Sequence, residues 1–392
     1  MSIPQELQVN QVQDFSELDS QILRISPYGS TSVSNSAGKK IEFRLGRNGF
    51  LQGSECEVVF DVAADVASAC PDWAESIFEM IIIKVGNLEL CRETEAGFMR
   101  NMANNAHYSY NARNSASGKS RGSTSSIFDA MSTTARKVRV PLYDAVSKMG
   151  VSSLFKDLLP LYKMDQVKIQ LHLNSTLGAY AENSATTFTA DNFELIAKVV
   201  DSPSLRSEYS KDVVRSFSSY AHHQDTLISG ASRIASVVPA SFQNMTGMIV
   251  CSRPTSIVNA VATADKYQSQ FDLNGATSSA LRIDGTQFPS NKYDLTDSVE
   301  NAILMERLWK TKSLGSHHDW SNDGSANDSK QYLCFPFESA NNAITGLNTS
   351  ARTGTIVCDI AVSATANQNL DFFVMYNRFY RISANGAVSI TS

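Results

Sequence analysis

Two pairs of adjacent histidines are the residues whose types come closest to a chemical site. They are His222-His223, followed by Asp225, and His317-His318, followed by Asp319. Imidazole and carboxylate are metal ligands, so each cluster is a candidate metal centre. The spacing argues against it. Adjacent side chains on a strand point to opposite faces, so a His-His dipeptide converges poorly on one ion. The second pair also lies among Ser, Asn and Asp, the composition of a solvated loop. Ser117-Gly118-Lys119-Ser120 has the end of a phosphate-binding loop, but the glycine required five residues before the Gly-Lys pair is Arg113. Serine is abundant, yet no strand-to-helix nucleophile elbow is read among these serines. Residues 100–139 hold seven Arg and Lys against one acid, Asp129. Such a loop can meet nucleic acid, anionic lipid or an acidic neighbour. Its aromatics, Tyr108, Tyr110 and Phe128, lack the spacing of a base-stacking platform, so a solvated loop touching a neighbouring subunit is expected. The sequence nominates no catalytic, cofactor-binding or metal-binding residue, and no cofactor or small-molecule substrate.

What remains is a scaffold. At 392 residues the chain exceeds one ordinary core, so two or three domains are expected. With 42% hydrophobic and 19% charged residues it has the composition of a globular protein, and no apolar run approaches the roughly 20 residues that span a bilayer. The N-terminus shows no basic segment leading into an apolar one, so no secretory signal is read. The six cysteines are scattered without a Cys-x-x-Cys pair, and Cys56, Cys334 and Cys358 fall inside strand-like runs. Buried, reduced thiols and synthesis in a reducing cytoplasm are the expectation. A net charge of −5 opposes wholesale coating of nucleic acid.

Strand patterns dominate. In 167–174, Val167, Ile169, Leu171 and Leu173 alternate with Lys168, Gln170, His172 and Asn174, the period of a strand with one dry and one wet face. Residues 1–36 are polar, with isolated Ile22, Leu23 and Ile25, and read as an extended arm. Strands are expected at 41–45, 56–62, 81–85 and 88–91, the last two joined by a turn at Gly86-Asn87. A helix is expected at 95–104 with Phe98 and Met102 on one side, then a polar loop at 105–135. Further strands end at Pro141-Leu142, cover 167–174, and close at 193–200.

The same order recurs after a link at 201–212. Strands at 234–238, 248–252 and 281–283, a helix at 298–310 opened by Asp297 and Glu300, and a polar loop at 311–329 follow in turn. Strands at 332–337, 355–362 and 370–382 complete the second set. The offsets fall at roughly 180–200 residues, the scale of a duplicated domain rather than a solenoid repeat. Many short strands, one helix and one long loop per half favour an all-β fold of two tandem eight-stranded jelly-roll sandwiches with short helices and long loops. The expected division is an arm at 1–36, a first roll at 37–202, a linker at 203–212 and a second roll at 213–392.

Two blocks carry a family resemblance. VPLYDAVSKMGVSSLFKDLLPLYKMDQVKIQLHL resembles the strand, Pro-Leu, loop, Pro-Leu, amphipathic-strand block of the first roll in double-jelly-roll major capsid proteins of tailless icosahedral DNA viruses, in the polinton, adintovirus and virophage-like branch. FPFESANNAITGLNTSARTGTIVCDIAV, with Gly346-Leu347-Asn348 before its strand, resembles the matching block of the second roll. LRIDGTQFP and the closing DFFVMYNRFYRISANGAVSI are similar to the family's middle and last strands. The resemblance spans about 38–392 and its motifs are degenerate patterns. It implies a virion protein, not an enzyme: a homotrimer whose six rolls form a pseudo-hexameric capsomer that tiles an icosahedral shell. Implied partners are neighbouring capsomers, minor capsid or penton proteins, and an internal membrane or the genome through the N-terminal arm. Two other readings stand beside it. A tandem jelly-roll spike or carbohydrate-binding module fits the same strands, and a bicupin metalloenzyme fits them less well because no His-x-His occurs.

Overall fold

The computed structural model describes residues 19–29, 33–34, 40–64, 74–107, 136–144, 149–174, 188–254, 276–296, 298–309, 332–337, 346–350, 355–364 and 367–391. The first half runs β1 (Asp19–Ile25), β2 (Val33–Ser34), β3 (Lys40–Arg44), β4 (Phe50–Ala64), β5 (Phe78–Val85), β6 (Leu88–Thr94), α1 (Ala96–His107), β7 (Arg136–Pro141), α2 (Gly150–Leu154), β8 (Leu158–Leu159), β9 (Val167–Leu173) and β10 (Phe188–Asp201). After α3 (Pro203–Glu208) come β11 (Val213–Leu227), β12 (Arg233–Pro239), β13 (Met245–Pro254), β14 (Ser278–Ile283), β15 (Thr286–Asp294) and α4 (Ser298–Trp309). The chain closes with β16 (Leu333–Pro336), β17 (Thr355–Ala361), β18 (Gln368–Ile382) and β19 (Val388–Thr391).

Strand order settles the architecture. In the first half the two sheets run β1-β10-β4-β7 and β3-β9-β5-β6; in the second they run β11-β18-β13-β16 and β12-β17-β14-β15. Numbered by place within each half, the two sequences of neighbours are the same. A first strand pairs with the last, and a second with the last but one, which is the nested pairing of a jelly roll. Both halves also place a helix after the fifth strand of this set, α1 in one and α4 in the other. Two tandem jelly rolls are therefore present, as the repeated order of elements implied.

Local chemistry explains the strands. Ile41, Phe43, Val58, Phe60, Ile81, Ile83, Ile169 and Leu171 alternate along their strands and are all buried in the first core. Phe60 stacks on Phe193 at 4.7 Å between ring centres, 14° from parallel. Gly86 closes the β5–β6 hairpin at φ +59°, a value that a side chain disfavours. In the matching hairpin Asp284 and Gly285 take φ +51° and +79°, and two positive values in succession suit the right-handed twist of the strands they join. The second core gathers Met248, Val250, Leu281, Ile356, Cys358, Phe372 and Val374.

Several expectations change. Residues 19–25, placed in the arm by their thin apolar content, form β1 and pair along their whole length with β10. Their edge position explains the disguise, because one face of a sheet edge stays wet. Strand β11 was likewise unforeseen, since VVRSFSSYAHHQDTL carries many polar residues, yet it pairs with β18 over all fifteen positions. The linker holds a helix: Ser202 caps α3 by accepting the Leu205 amide at 3.2 Å, and Pro203 occupies its first turn. The wet face of β9 is only partly wet. Gln170 and Asn174 are buried, and Gln170 donates to Glu42 Oε2 at 2.9 Å. Of the helix-opening pair, Asp297 lies outside the described residues, while Glu300 Oε2 accepts the Asp294 amide at 3.1 Å. The two long polar loops also lie outside the described residues from 108 to 135 and from 310 to 331.

Candidate interface between the two halves

The cluster with the most chemistry lies where the halves meet. Helix α1 brings Phe98, Met99, Met102 and Ala103 from the first half into one apolar cluster with Ile249, Cys251, Phe373 and Met375 of the second. Strand parity shows which face this is. Met248, Val250, Phe372 and Val374 point into the second roll's own core, so their neighbours in sequence present the outer face of the β11-β18-β13-β16 sheet. Helix α4 covers part of the same face through Leu304, Met305, Leu308 and Trp309. Trp309 Nε1 donates to Tyr332 Oη at 2.9 Å there. Strands β11 and β18 also run past their own sandwich, and Phe217, Tyr380 and Ile382 belong to the first half's core.

Buried charge sits inside this apolar contact. Arg253 and Asp371, fully shielded on β13 and β18, form a two-pronged pair: Nε to Oδ2 at 2.7 Å and Nη2 to Oδ1 at 2.9 Å. The third guanidinium nitrogen, Nη1, crosses to the first half and donates to Glu95 Oε2 at 3.1 Å. The Phe98 ring lies 4.3 Å beneath the same guanidinium. On the other side, His222 Nε2 lies 2.8 Å from Asp371 Oδ1, and Gln224 Nε2 donates to that oxygen at 3.0 Å. Burial would raise the Asp371 carboxyl, but the Arg253 charge and the hydrogen bonds from His222 and Arg253 outweigh it and hold it far below the usual carboxylate range.

Glu95 is one of three non-glycine residues with positive φ among the described residues, at +51°. A left-handed Glu costs of the order of 1–2 kcal/mol, which the bond to Arg253 offsets. A second buried pair anchors α1 within its own half. Arg100 binds Glu93 at 3.1 Å and 3.4 Å and donates to the carbonyls of Pro141 and Leu142, while Glu93 also accepts the Val151 amide at 2.6 Å. Tyr220 Oη to the Thr94 carbonyl (3.1 Å) and Arg378 Nη1 to the Leu90 carbonyl (3.1 Å) complete the polar seam.

This arrangement holds; it does not react. All three guanidinium nitrogens of Arg253 and both oxygens of Asp371 are engaged. The histidine pair divides as strand geometry dictates: His222 is opposite Phe373 and His223 opposite Phe372, on different faces. His223 is pushed down from the usual histidine range, chiefly by burial and then by the neighbouring His222. Among the described residues no three His, Cys, Asp or Glu side chains lie together as metal ligands. His317, His318, Asp319, the basic run from 108 to 135, Trp73 and Trp320 lie outside the described residues. There too lies Gly118-Lys119-Ser120-Arg121-Gly122, which does spell Gly-x-Ser-x-Gly but follows a Ser/Asn/Arg run rather than an apolar strand. Sequence reading passed over Arg253, Asp371 and Glu95. Their signal was a lone charge in each of two apolar runs, Arg253 ending MIVCSR and Asp371 inside LDFFVM.

No protein-family model and no curated protein matches the sequence. Solved structures do. The PBCV-1 virus capsid model superposes with a TM-score of 0.67 at 13% identity, covering 96% of this chain and 97% of the other. The chain has the double-jelly-roll capsid fold. The Faustovirus major capsid protein matches at TM-score 0.56 and 12% identity over 95% of this chain and 92% of its own. The mavirus major capsid protein matches at 0.55 and 11% over 100% and 95%. Coverage near the full length of both chains means that the pairing of two rolls, and not one roll alone, is what the double jelly roll shares with them.

Proposed function

We propose that the protein is a major capsid protein, a shell tile that works by shape and self-association rather than by catalysis. The observation that carries this reading is the whole-chain match, both rolls together, to major capsid proteins of separate viruses. The interior agrees with it. The richest polar cluster is saturated by internal partners, so it stiffens the junction between rolls and leaves no group to bind a substrate. Three chains, each with two rolls, make a six-cornered capsomer, and such tiles cover an icosahedral shell. The virion is the place of action, with minor capsid or penton proteins as partners and the N-terminal arm reaching an internal membrane or the genome. The buried thiols Cys56, Cys91, Cys334 and Cys358 suit synthesis in a reducing cytoplasm. In this reading the arm, first roll, linker and second roll are the successive pieces of the tile.

Negative-stain microscopy with sedimentation analysis of the purified full chain tests it. The expected result is trimeric particles with a six-cornered outline that form hexagonal sheets or shells. A monodisperse monomer at high concentration overturns the proposal, and glycan binding by that monomer would favour the spike or carbohydrate-binding reading.

A further inference from the structure

Four charged side chains that meet on the second roll's other sheet do not balance. In β12-β17-β14-β15, Ile356, Cys358 and Ile360 point into the core, so Asp359 lies on the outer face. Three cations converge on it. Arg233 of β12 binds both oxygens, Nε to Oδ1 at 2.6 Å and Nη2 to Oδ2 at 2.7 Å. Arg282 of β14 reaches Oδ2 at 3.4 Å, and Lys292 of β15 lies 3.9 Å from the same oxygen. The carboxylate is 1% exposed, whereas Arg233, Arg282 and Lys292 are 55%, 46% and 42% exposed. An approaching molecule therefore meets the cations and not the acid. The other carboxylates of the β14–β15 hairpin sit at its ends: Asp284 in the turn, and Asp294, which accepts the Thr296 amide and hydroxyl at 2.9 Å and 2.6 Å. An apolar strip runs beside the charges. Ala235 and Ala280 flank Asp359, and the next row reads Arg282, Val357 and Val237 across β14, β17 and β12. Val237 is 62% exposed and stands two strands, about 10 Å, from Arg282.

We infer that this face is the docking surface for an acidic segment of a partner polypeptide, its carboxylates seated on Arg282 and Lys292 and an apolar side chain on Val237. The inference rests on the shell-tile reading above and gives a minor capsid or penton partner its place and its chemistry. Arg233 holds Asp359 at short range, while Arg282 and Lys292 touch it only at the edge of bonding distance and keep donors for another acceptor. Charge complementarity selects carboxylates, since a chain of net charge −5 gathers surplus cations here. The rows select a polypeptide. A peptide presents acid and apolar side chains together, whereas nucleic acid adds stacking on aromatic rings, and no aromatic side chain stands in these rows.

The probe is a fluorescent peptide alternating Glu and Val, titrated against the purified full chain and read by anisotropy. Its comparators are the same peptide with Gln for Glu, single-stranded oligothymidine, and vesicles of phosphatidylserine in phosphatidylcholine. The Glu peptide is expected to bind, to weaken as salt rises, and to be joined by carbodiimide to Lys292 Nζ. Arg282→Glu should weaken it about tenfold, because it removes an attraction and adds a repulsion. Arg282→Gln, which puts no second acid beside Asp359, should act in the same direction at smaller effect, as should Val237→Ser. Lys211→Glu, an exposed reversal elsewhere, should leave binding unchanged. No binding of the Glu peptide, equal binding of the Gln peptide, or binding that survives Arg282→Glu overturns the inference. So does binding of oligothymidine or vesicles in its place, which would make this a phosphate surface. Self-association lost in Arg282→Glu without peptide binding would assign the face to a second copy and likewise overturn it. Particle outline judges the tile reading separately: six-cornered trimers that bind no peptide remove this inference alone, and a lasting monomer that binds it removes the tile reading alone.

Discussion

Asp371→Asn is the sharpest perturbation of the junction, because it removes a charge and almost no volume. Asp371 accepts four hydrogen bonds, two from Arg253 at 2.7 Å and 2.9 Å. After the substitution Arg253, with no exposed surface, keeps Glu95 at 3.1 Å as an ionic partner among the described residues. Removing one partner of a buried pair costs about 3–5 kcal/mol, most of it the desolvation of the charge left behind. Urea denaturation at pH 7 under non-assembling conditions should show that loss. Replacing both partners together, Arg253→Met with Asp371→Leu, should cost less than either single change, since neither fully buried charge is left without the other and Glu95, which loses Arg253, is partly exposed. The pH dependence has a definite sign. The folded carboxyl is held well below its ordinary range, so its contribution is whole above the unfolded value and is lost as pH falls. Between pH 5 and pH 3 the gap between the natural chain and Asp371→Asn should narrow by about 1 kcal/mol, as the unfolded carboxyl takes up a proton that the folded one refuses. A cost below about 1 kcal/mol at pH 7, or a gap that widens on acidification, would refute the reasoning.

Glu42 tests the same logic nearer the surface. Burial would raise it, but Lys40, Arg44 and Gln170 hold it at about 2, so its NMR titration should have its midpoint there and Glu42→Gln should lose its pH dependence between 4 and 2. Linkage from a shift of that size, discounted because Lys40 and Arg44 are 39% and 35% exposed, gives a cost of about 1–3 kcal/mol for the variant at pH 7. Gly150 has φ +58° and a side chain there would meet the Glu93 carboxylate, so Gly150→Ala should destabilise by about 2–4 kcal/mol in the same assay. Buried thiols should be silent. Burial pushes Cys56 up to about 12 and raises Cys91 and Cys358 as well, so a thiol reagent should find these three only after denaturation.

Much of the fold was legible because one-sided burial writes period two into a strand. β3 and β9 showed it, while β5 was legible as an apolar run and the hairpins by their turns at Gly86 and at Asp284-Gly285. β1 and β11 were illegible for opposite reasons. β1 is an edge with one poorly covered face, so its apolar residues are sparse. β11 spends its polar residues on specific partners: His222 and Gln224 on Asp371, and Ser218 on Asn377. A hydrogen bond satisfied inside the fold looks, in the sequence, like a solvated residue. The junction was hidden by the same rule, since Arg253, Asp371 and Glu95 lie far apart in the chain and only the third dimension shows them paired.

The last strands of the two rolls, β10 and β18, record what each sheet faces. They hold the same place in the same topology and pair with corresponding neighbours. Yet from 193 to 199 β10 alternates buried and half-buried residues, while 370–376 of β18 is buried without a break. Strand propensity cannot account for the contrast, because both are long antiparallel strands between two others. The difference is in what lies outside. β18 has its own core on one side and helix α1 of the first roll on the other, so both parities need apolar side chains, as in the NLDFFVMY run. Over 193–199 β10 has a core on one side only, with Glu194, Ile196 and Lys198 on its half-exposed side; just beyond, Val200 buries that side against Phe50 and Tyr209. The single charge within 370–376, Asp371, is the one that Arg253 requires. Arg253 in turn crosses to Glu95, just before α1, and a slip of α1 over the sheet would break that bond. Apolar area therefore brings the rolls together, and the bond from Arg253 to Glu95 sets their register.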